Sequence, residues 1–168
     1  SNMNPRKYQK LFDDLDYEIL KELRSDARAS ASDIARFVNA NERTIRKRID
    51  RLVELGAVRL TAIINPRSFG YTMSVDIFLE VDPSHEVQVL DLFKTMPQIT
   101  YIAFGEGSKD LSIEARFKNS EEMAIFLRHT IPQIPGVTLK GHALVPAILR
   151  NIDEWMPSKQ DFGIEEDS

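Results

Sequence analysis

Five basic side chains fall between positions 43 and 51, and their chemistry suits a polyanion. The five are Arg43, Arg46, Lys47, Arg48 and Arg51. A guanidinium or ammonium group holds a phosphate as a cation, and Arg or Lys can also donate two hydrogen bonds to a guanine in the major groove of DNA. A solvated basic helix face has the same composition, so the surrounding elements must decide between nucleic-acid binding and a plain surface.

A helical wheel predicts which of these cations face outward. At about 100° per residue an apolar stripe forms, and it consists of Ile45, Ile49, Leu52 and Val53. The opposite side carries Arg43, Thr44, Lys47, Arg51 and Glu54, while Arg46 and Arg48 flank the stripe. Because a recognition helix contacts base edges mainly from its N-terminal part, we expect base or near-base contacts from Arg43, Thr44 and Lys47. Phosphate contacts are expected mainly from Arg46, Arg48 and Arg51.

Two shorter helical patterns precede this segment. Apolar residues recur at helical spacing over about 14–25, after an Asp13 cap, and again over about 31–38. A third helix is capped by Asn41 and ends at Gly56, because a residue without Cβ fits the left-handed position after a helix. The polar turn over 39–41 links the last two helices. Three short helices joined by tight turns predict a helix-turn-helix.

Ser30 and Ser32 lie at the start of the second of these helices. Ser30 and Asp33 match a capping box, with Asp in place of the usual Glu. The amide groups at this helix start are also suited to a phosphate, which makes both serines candidate contacts to the DNA backbone. Capping is the commoner role for a serine at this position.

The pattern after Gly56 changes from helical periodicity to alternation. Residues 58–64 predict a strand that closes at Asn65-Pro66, and we interpret residues 57–70 as wing strand and linker. The remaining chain has the order β-α-β-β-α-β of a ferredoxin-like fold. Its predicted strands cover about 71–81, 99–105, 111–117 and 137–149, and its helices are capped by Ser84 and Asn119.

The predicted fold is therefore α+β: an N-terminal winged helix-turn-helix (three helices plus a wing strand) followed by a ferredoxin-like βαββαβ domain. The predicted domains are residues 1–11 (tag remnant and flexible start), 12–56 (helix-turn-helix), 57–70 (wing and linker), 71–150 (dimerisation and effector domain) and 151–168 (acidic extension). The two helices of the second domain cover one sheet face. Met73, Val75, Ile77, Leu79 and Val81 share one side of its first strand, and we interpret them as an apolar second face that another copy covers.

Charge and composition separate the two halves and exclude several classes of protein. Residues 1–66 carry 13 Lys and Arg against 10 Asp and Glu, a net of +3, and residues 67–168 carry 9 against 16, a net of −7. A polyanion would thus bind the first half.

The composition excludes several classes of protein. With no cysteine, disulfide frameworks and Cys-ligated metals are excluded, which fits a reducing cytoplasm. The sequence has neither a secretion-signal pattern nor an apolar run that could span a bilayer, and we expect a cytoplasmic protein without membrane contact.

The histidines give no indication of a metal site or a catalytic site. His85, His129 and His142 fall in three different predicted elements, and no two stand at a metal-binding spacing such as i, i+4. We find no nucleotide loop and no nucleophile motif. We therefore expect no enzyme, no metal and no cofactor.

The sequence resembles the leucine-responsive regulatory protein/AsnC (Lrp/AsnC) family of transcription regulators. Residues 12–20 look like the family's Leu-Asp-x-x-Asp-x-x-Ile-Leu opening, and residues 28–35 match its second-helix pattern. Residues 44–52, followed by Gly56, match its recognition helix closely, and residues 65–71 resemble its linker. The resemblance runs from about 12 to 150.

This resemblance implies a sequence-specific binder of double-stranded DNA that forms a homodimer, and often an octamer or another even-numbered ring. It also implies an amino-acid effector bound between neighbouring second domains, at a Gly-x-x-Asp loop. Here that loop gives the candidate effector residues Gly105, Glu106, Gly107, Ser108, Lys109 and Asp110, to which we add His142. Glu106 and Lys109 depart from the small and apolar residues common in the family, which favours a polar or charged ligand or none. A glycine-rich hairpin turn explains the loop equally well.

Two alternatives share this fold. One is an architectural DNA binder with no effector, which differs only in whether a small molecule shifts assembly or DNA affinity. The other is an enzyme similar to the siroheme decarboxylases, which resemble Lrp/AsnC proteins in layout. Such an enzyme has no use for five cations on its third helix, so the basic helix favours the regulator.

The last predicted segment is an acidic extension with one tryptophan. We expect residues 152–157, which include Trp155, to pack at a contact between subunits. Half of the residues in 161–168 are acidic and the segment has little to pack, so we expect the end of the chain to be disordered.

Overall fold

The computed structural model describes residues 11–105 and 110–165. The chain divides into two compact units. The first consists of the residues up to Ala62 together with the segment from Arg150 onward, and the second of Ile63–Leu149. No helix within the described ranges is both long and apolar enough to cross a membrane.

Three α-helices lie in the described part of the first unit, close to the predicted bounds. They are α1 (Asp14–Ser25), α2 (Ala31–Val38) and α3 (Glu42–Glu54). Each contributes an apolar stripe to one core, in which Ile19, Ile34, Ile45 and Leu52 are completely buried. Burying these four aliphatic side chains stabilises the unit by roughly 6–12 kcal/mol before conformational entropy is counted. The helix-turn-helix predicted from periodicity is thereby confirmed.

The helix ends are also those that the sequence predicts. Asp13 and Asp16 form a reciprocal capping box at α1, and Ser30 and Asp33 form another at α2. The capping role of Ser30 is thus confirmed, and its hydrogen bonds hold the pKa of Asp33 below its usual value. Asn39 takes the left-handed conformation, with φ of 52°, which lets the chain turn sharply between α2 and α3.

The predicted wing strand is absent from this single chain. Residues 57–65 form neither helix nor strand, although Gly56 ends α3 with φ of 70° as expected. An alternating sequence becomes a strand only when a neighbouring strand supplies its ladder hydrogen bonds, and the described residues supply none here. Leu60, Ile63 and Ile64 stay about half exposed or more.

The second unit is a four-stranded antiparallel sheet with two helices on one face. Its elements are β1 (Met73–Val81), α4 (Glu86–Thr95), β2 (Ile99–Phe104), β3 (Asp110–Phe117), α5 (Ser120–Ile125, extended by a π-helical turn over Phe126–Thr130) and β4 (Val137–Leu144). The strand order β2-β3-β1-β4 is that of the predicted ferredoxin-like fold. Asn119 caps α5 as expected, by accepting a hydrogen bond from the Glu122 amide.

The assignment of the two sheet faces was wrong. Val75, Ile77, Leu79 and Val81 do not form the open face, because they are almost completely buried against the helices, in one cluster with Phe93 and Phe126. The open face carries the alternate residues, among which Phe78 and Tyr101 are 47% and 59% exposed. Strand alternation identifies residues that share a face but does not say which face the helices cover.

Two smaller expectations were also wrong. Ser84 does not cap α4: it lies inside a 3₁₀ turn, Pro83–His85, whose own cap is Asp82. The last strand ends at Leu144 instead of 149, because β1, its only neighbour among the described strands, begins at Met73 and leaves later residues without a ladder partner.

The C-terminal segment packs more than its composition suggests. It contains two 3₁₀ turns, Ile152–Glu154 and Lys159–Phe162, and Phe162 is only 4% exposed. The expectation of a disordered end is therefore wrong for residues 161–165, and residues 166–168 lie outside the described ones. Trp155 is 55% exposed, and its predicted contact with another subunit stays a prediction.

Candidate nucleic-acid interface

The exposed face of α3 presents the three residues that the wheel places nearest to DNA bases. Arg43, Thr44 and Lys47 are all exposed, while Ile45 and Leu52 fix the opposite side of the helix in the core. Among the described residues, neither Arg43 nor Lys47 has an ion-pair partner. Two uncompensated cations and a hydroxyl thus point away from the domain at the N-terminal half of the helix, where base contacts are expected.

Arg46 is also exposed, but it is paired on its own helix. Its guanidinium contacts the carboxylate of Glu42, one turn earlier, and both side chains are largely in solvent. An exposed i, i+4 pair of this kind contributes only a few tenths of a kcal/mol. A phosphate can therefore replace Glu42 as the partner of Arg46 at little cost.

Arg48 and Arg51 have a different environment, because both reach across to the start of α1. Arg48 Nη1 lies 2.7 Å from Asp13 Oδ1 and 3.2 Å from Asp16 Oδ1. Arg51 Nη1 lies 3.8 Å from Asp16 Oδ2, and Arg51 also donates a hydrogen bond to the Leu11 carbonyl oxygen at 2.6 Å. The Asp16 side chain is 1% exposed, so these cations neutralise a buried carboxylate.

The pKa shifts agree with this internal arrangement. The hydrogen bond from Arg48 lowers the pKa of Asp13 below its usual value, and the same bond raises the pKa of Arg48. The contacts tie the middle of α3 to the first turn of α1, which fixes the rotation of α3 about its axis. The predicted phosphate contacts of Arg48 and Arg51 remain predictions.

Sequence reasoning missed Asp13 and Asp16 as part of the interface. It identified them as helix-capping residues, which they are, but each carboxylate also has oxygen atoms left for a cation. A signal for the pairing was present: Arg48 and Arg51 stand three residues apart on one side of α3, like Asp13 and Asp16 on α1.

The two serines of α2 differ in their availability. Ser30 Oγ accepts a hydrogen bond from the Asp33 amide at 3.0 Å, so its side chain is occupied as a cap. Ser32 is exposed in the first turn, and among the described residues its hydroxyl has no hydrogen-bond partner. Ser32 is the better placed of the two to donate to a phosphate oxygen.

The candidate effector residues lie mostly at one hairpin, and part of that hairpin lies outside the described residues. Gly105 donates a backbone hydrogen bond to the Asp110 carbonyl oxygen at 2.9 Å, which closes the β2–β3 connection. Glu106, Gly107, Ser108 and Lys109 fall in the gap. His142 is exposed on β4 opposite Ile77, whereas Asp110 pairs with Glu80. Two strand spacings and three ladder positions separate His142 from Asp110, roughly 14 Å, so a single chain does not bring them together.

The first unit matches a known family of DNA-binding domains. Residues 12–59 match the model of a winged helix-turn-helix DNA-binding family. The HTH-type transcriptional regulator FL11 of Pyrococcus abyssi is 35% identical over 126 residues, which cover 74% of this chain and 83% of that protein.

Solved structures extend the likeness to both units. The transcriptional regulatory protein PF0864 of Pyrococcus furiosus, a member of the AsnC family, superimposes with a TM-score of 0.69 at 26% identity, covering 84% of this chain and 94% of that one. The regulator NMB0573 of Neisseria meningitidis, solved as a complex with L-Met, gives a TM-score of 0.74 at 18% identity, covering 83% and 92%.

Proposed function

The chain belongs to the Lrp/AsnC family of helix-turn-helix transcription regulators, and we propose that α3 is the helix with which it reads its operator. The observation that carries the proposal is the exposed, unpaired cationic face at Arg43 and Lys47, next to Thr44. In the major groove these side chains would reach base edges. A regulator of this kind works where the DNA is, which we expect to be the cytoplasm.

The cations around this face would divide into two groups. Arg46 would exchange Glu42 for a phosphate, and Ser32 would donate to the backbone from the start of α2. Arg48 and Arg51 would instead orient α3 through the carboxylates of α1. On this view, affinity depends on both groups but its salt dependence comes from the first, since only phosphate contacts release counterions.

Regulation by a small polar molecule is the second part of the proposal. The β2–β3 hairpin supplies the candidate site, and a relative of the same fold has been solved with L-Met. Because His142 and Asp110 lie roughly 14 Å apart in one chain, a site that used both would need residues from two copies. The family's even-numbered assemblies would provide such an arrangement.

We further propose that the chain self-associates through the open sheet face, which would bring two copies together. Phe78 and Tyr101 expose large aromatic surfaces on the face that the helices leave uncovered. Burying both in a symmetric contact would remove apolar area from water on each copy. We expect a homodimer, from which an octamer or another even-numbered oligomer would form. Measuring the mass in solution of the wild type and of Phe78→Ser tests this expectation.

The decisive experiment is a gel shift against the DNA upstream of the protein's own gene, with and without each of the twenty amino acids. Specific binding that one amino acid alters would support both the regulator and the effector site. Specific binding that none alters would keep the regulator and favour an architectural binder. Binding no stronger than to random DNA at moderate salt would contradict the central proposal.

A further inference from the structure

The C-terminal segment places one aromatic side chain against the first helix of the DNA-binding unit. Phe162 is 4% exposed, whereas the residues on both sides of it, Asp161 and Gly163, are exposed. Its ring centroid lies 5.2 Å from that of Tyr17 in an edge-on geometry and 6.2 Å from that of Phe12. Such ring pairs contribute beyond the area that they bury, so Phe162 is the anchor of this segment.

Further contacts hold the segment in place along α1. The 3₁₀ turn that presents Phe162 is closed by hydrogen bonds that the Ser158 amide and hydroxyl donate to the Asp161 carboxylate. The Lys159 ammonium lies 6.0 Å from the centre of the Tyr17 ring, within range of a cation–π contact. Arg24, at the other end of α1, donates a hydrogen bond to the Glu154 carbonyl oxygen. The segment is therefore attached at both ends of the helix.

Phe12 connects the tail to the recognition helix. The Arg51 guanidinium lies 5.8 Å from the centre of the Phe12 ring, and Arg51 also donates to the Leu11 carbonyl oxygen. Contacts therefore run without a break from Phe162 through Phe12 to Arg51, in the C-terminal half of α3. None of these three residues belongs to the exposed face of Arg43, Thr44 and Lys47.

The route of the chain links the segment that carries Phe162 directly to the second unit. The chain leaves the DNA-binding unit after Ala62, forms the second unit, and returns at Arg150. The second unit is thus covalently connected to the DNA-binding unit at both of its ends.

We infer that Phe162 is a positioning residue for DNA binding: seated between Phe12 and Tyr17, it holds residues 11–12 against Arg51 and keeps α3 oriented for the groove. The inference rests on DNA binding by α3. When Phe162 is not packed between Phe12 and Tyr17, only a fraction of the molecules holds α3 in the orientation that binds DNA. The apparent dissociation constant for DNA then rises by the inverse of that fraction. A fraction of one tenth weakens binding about tenfold.

The test compares three variants of the full chain with the wild type. Phe162→Ala removes the anchor, Phe162→Leu keeps an apolar side chain without the ring, and Gln160→Ala is the matched control, since Gln160 is exposed on the same turn. Each is titrated against the operator fragment that the wild type binds, and circular dichroism verifies that each variant is folded. Trp155 is the only tryptophan of the chain and lies in the tail, so its fluorescence anisotropy reports tail docking without a label.

We expect Phe162→Ala to weaken operator binding about tenfold and Phe162→Leu about threefold, with Gln160→Ala equal to the wild type. By reciprocity, operator DNA must stabilise the docked tail, so at saturating DNA it raises the anisotropy of Trp155 more in Phe162→Ala, where the tail is released, than in the wild type, where it is already docked. Slower tumbling of the DNA complex raises the anisotropy equally in every variant, so a purely structural role predicts the same rise in Phe162→Ala and in the wild type.

Two results would overturn the inference. One is wild-type affinity in Phe162→Ala while the anisotropy of Trp155 shows a released tail, even if the melting temperature falls. If Phe162→Ala does not fold, the second is equal affinity of Phe162→Leu and Gln160→Ala. Absence of specific binding by the wild type, in contrast, would remove DNA binding itself and this inference with it.

Discussion

Replacing Arg48 by alanine is expected to destabilise the DNA-binding unit and not to remove a phosphate contact. Arg48 lies 2.7 Å from Asp13 and 3.2 Å from Asp16, whose side chain is 1% exposed. Without Arg48, the buried Asp16 carboxylate keeps two partners among the described residues: Arg51, at 3.8 Å, and a hydrogen bond from the Asp13 amide at 3.1 Å. The loss is that of one partner from a mostly buried ion pair.

The size of the effect follows from the exposure of the partners. Removing one member of a fully buried pair costs about 3–5 kcal/mol. Here the Asp13 side chain is 50% exposed, and water screens its interaction with Arg48. Since Asp16 also keeps its backbone hydrogen bond, we expect a loss of about 2 kcal/mol in the free energy of unfolding. For a unit of this size that corresponds to a fall of about 10 °C in the midpoint of its thermal transition.

Lys47→Ala is the matched control, because it removes a neighbouring cation from the same helix. Lys47 is exposed and unpaired within the described residues, so its loss is expected to change stability by less than about 0.5 kcal/mol. The assays are thermal unfolding by circular dichroism and titration of operator DNA at several salt concentrations, below the transition of either variant. Arg48→Ala is expected to keep the wild-type salt slope.

One result would refute this reasoning. If Arg48→Ala unfolds like the wild type and its salt slope is shallower by about 0.9, Arg48 neutralises one phosphate and is not needed to orient the helix. A wild-type slope with a lowered transition is the result that the internal ion pair requires.

Three further predictions concern the same two units. Lys47→Ala or Arg43→Ala is expected to cost about 1–3 kcal/mol of operator binding and to relax specificity at one base pair, measured by competition with single-base operator variants. An equal loss on all DNA sequences would mean a phosphate contact instead. Because Arg48 lowers the pKa of Asp13 in the folded state, that part of the stability is present above about pH 4 and is lost as the pH falls through the lowered pKa. Unfolding measured between about pH 6 and pH 2 should therefore show a weaker acid dependence in Asp13→Asn, and an unchanged curve would contradict the assignment. Gly136→Ala is expected to cost more than about 2 kcal/mol in the second unit, since Gly136 has φ of 80° and an added Cβ would lie 2.6 Å from His85 Cβ. Thermal unfolding checks this, and a variant as stable as the wild type would contradict it.

The local elements of the first unit could be predicted because their signals are local. Ser30, Asn41 and Gly56 mark helix ends through hydrogen bonds and backbone angles that involve only their near neighbours. The 3.6-residue period likewise separates the buried Ile45 from the exposed Lys47 without knowledge of the rest of the chain.

Apart from the local cap at Ser84, the predictions that failed were those that needed a partner from a distant part of the chain. Alternation showed that Val75 and Ile77 share a face, but only the packing of α4 and α5 decides that this face is the buried one. The wing segment alternates as a strand does, yet the described chain offers it no neighbour with which to form a ladder.

The sequence by itself thus determined the class of protein, the helix-turn-helix and the residues that face outward from α3. Only the tertiary structure separated two adjacent cations: Lys47 points to solvent, whereas Arg48 meets carboxylates more than thirty residues earlier in the chain. It also placed Phe162, from a segment that composition alone describes as solvated, against Phe12 and Tyr17. The physical reason is the same in both cases. Periodicity fixes the direction of a side chain relative to its own helix, but long-range packing decides what that side chain meets.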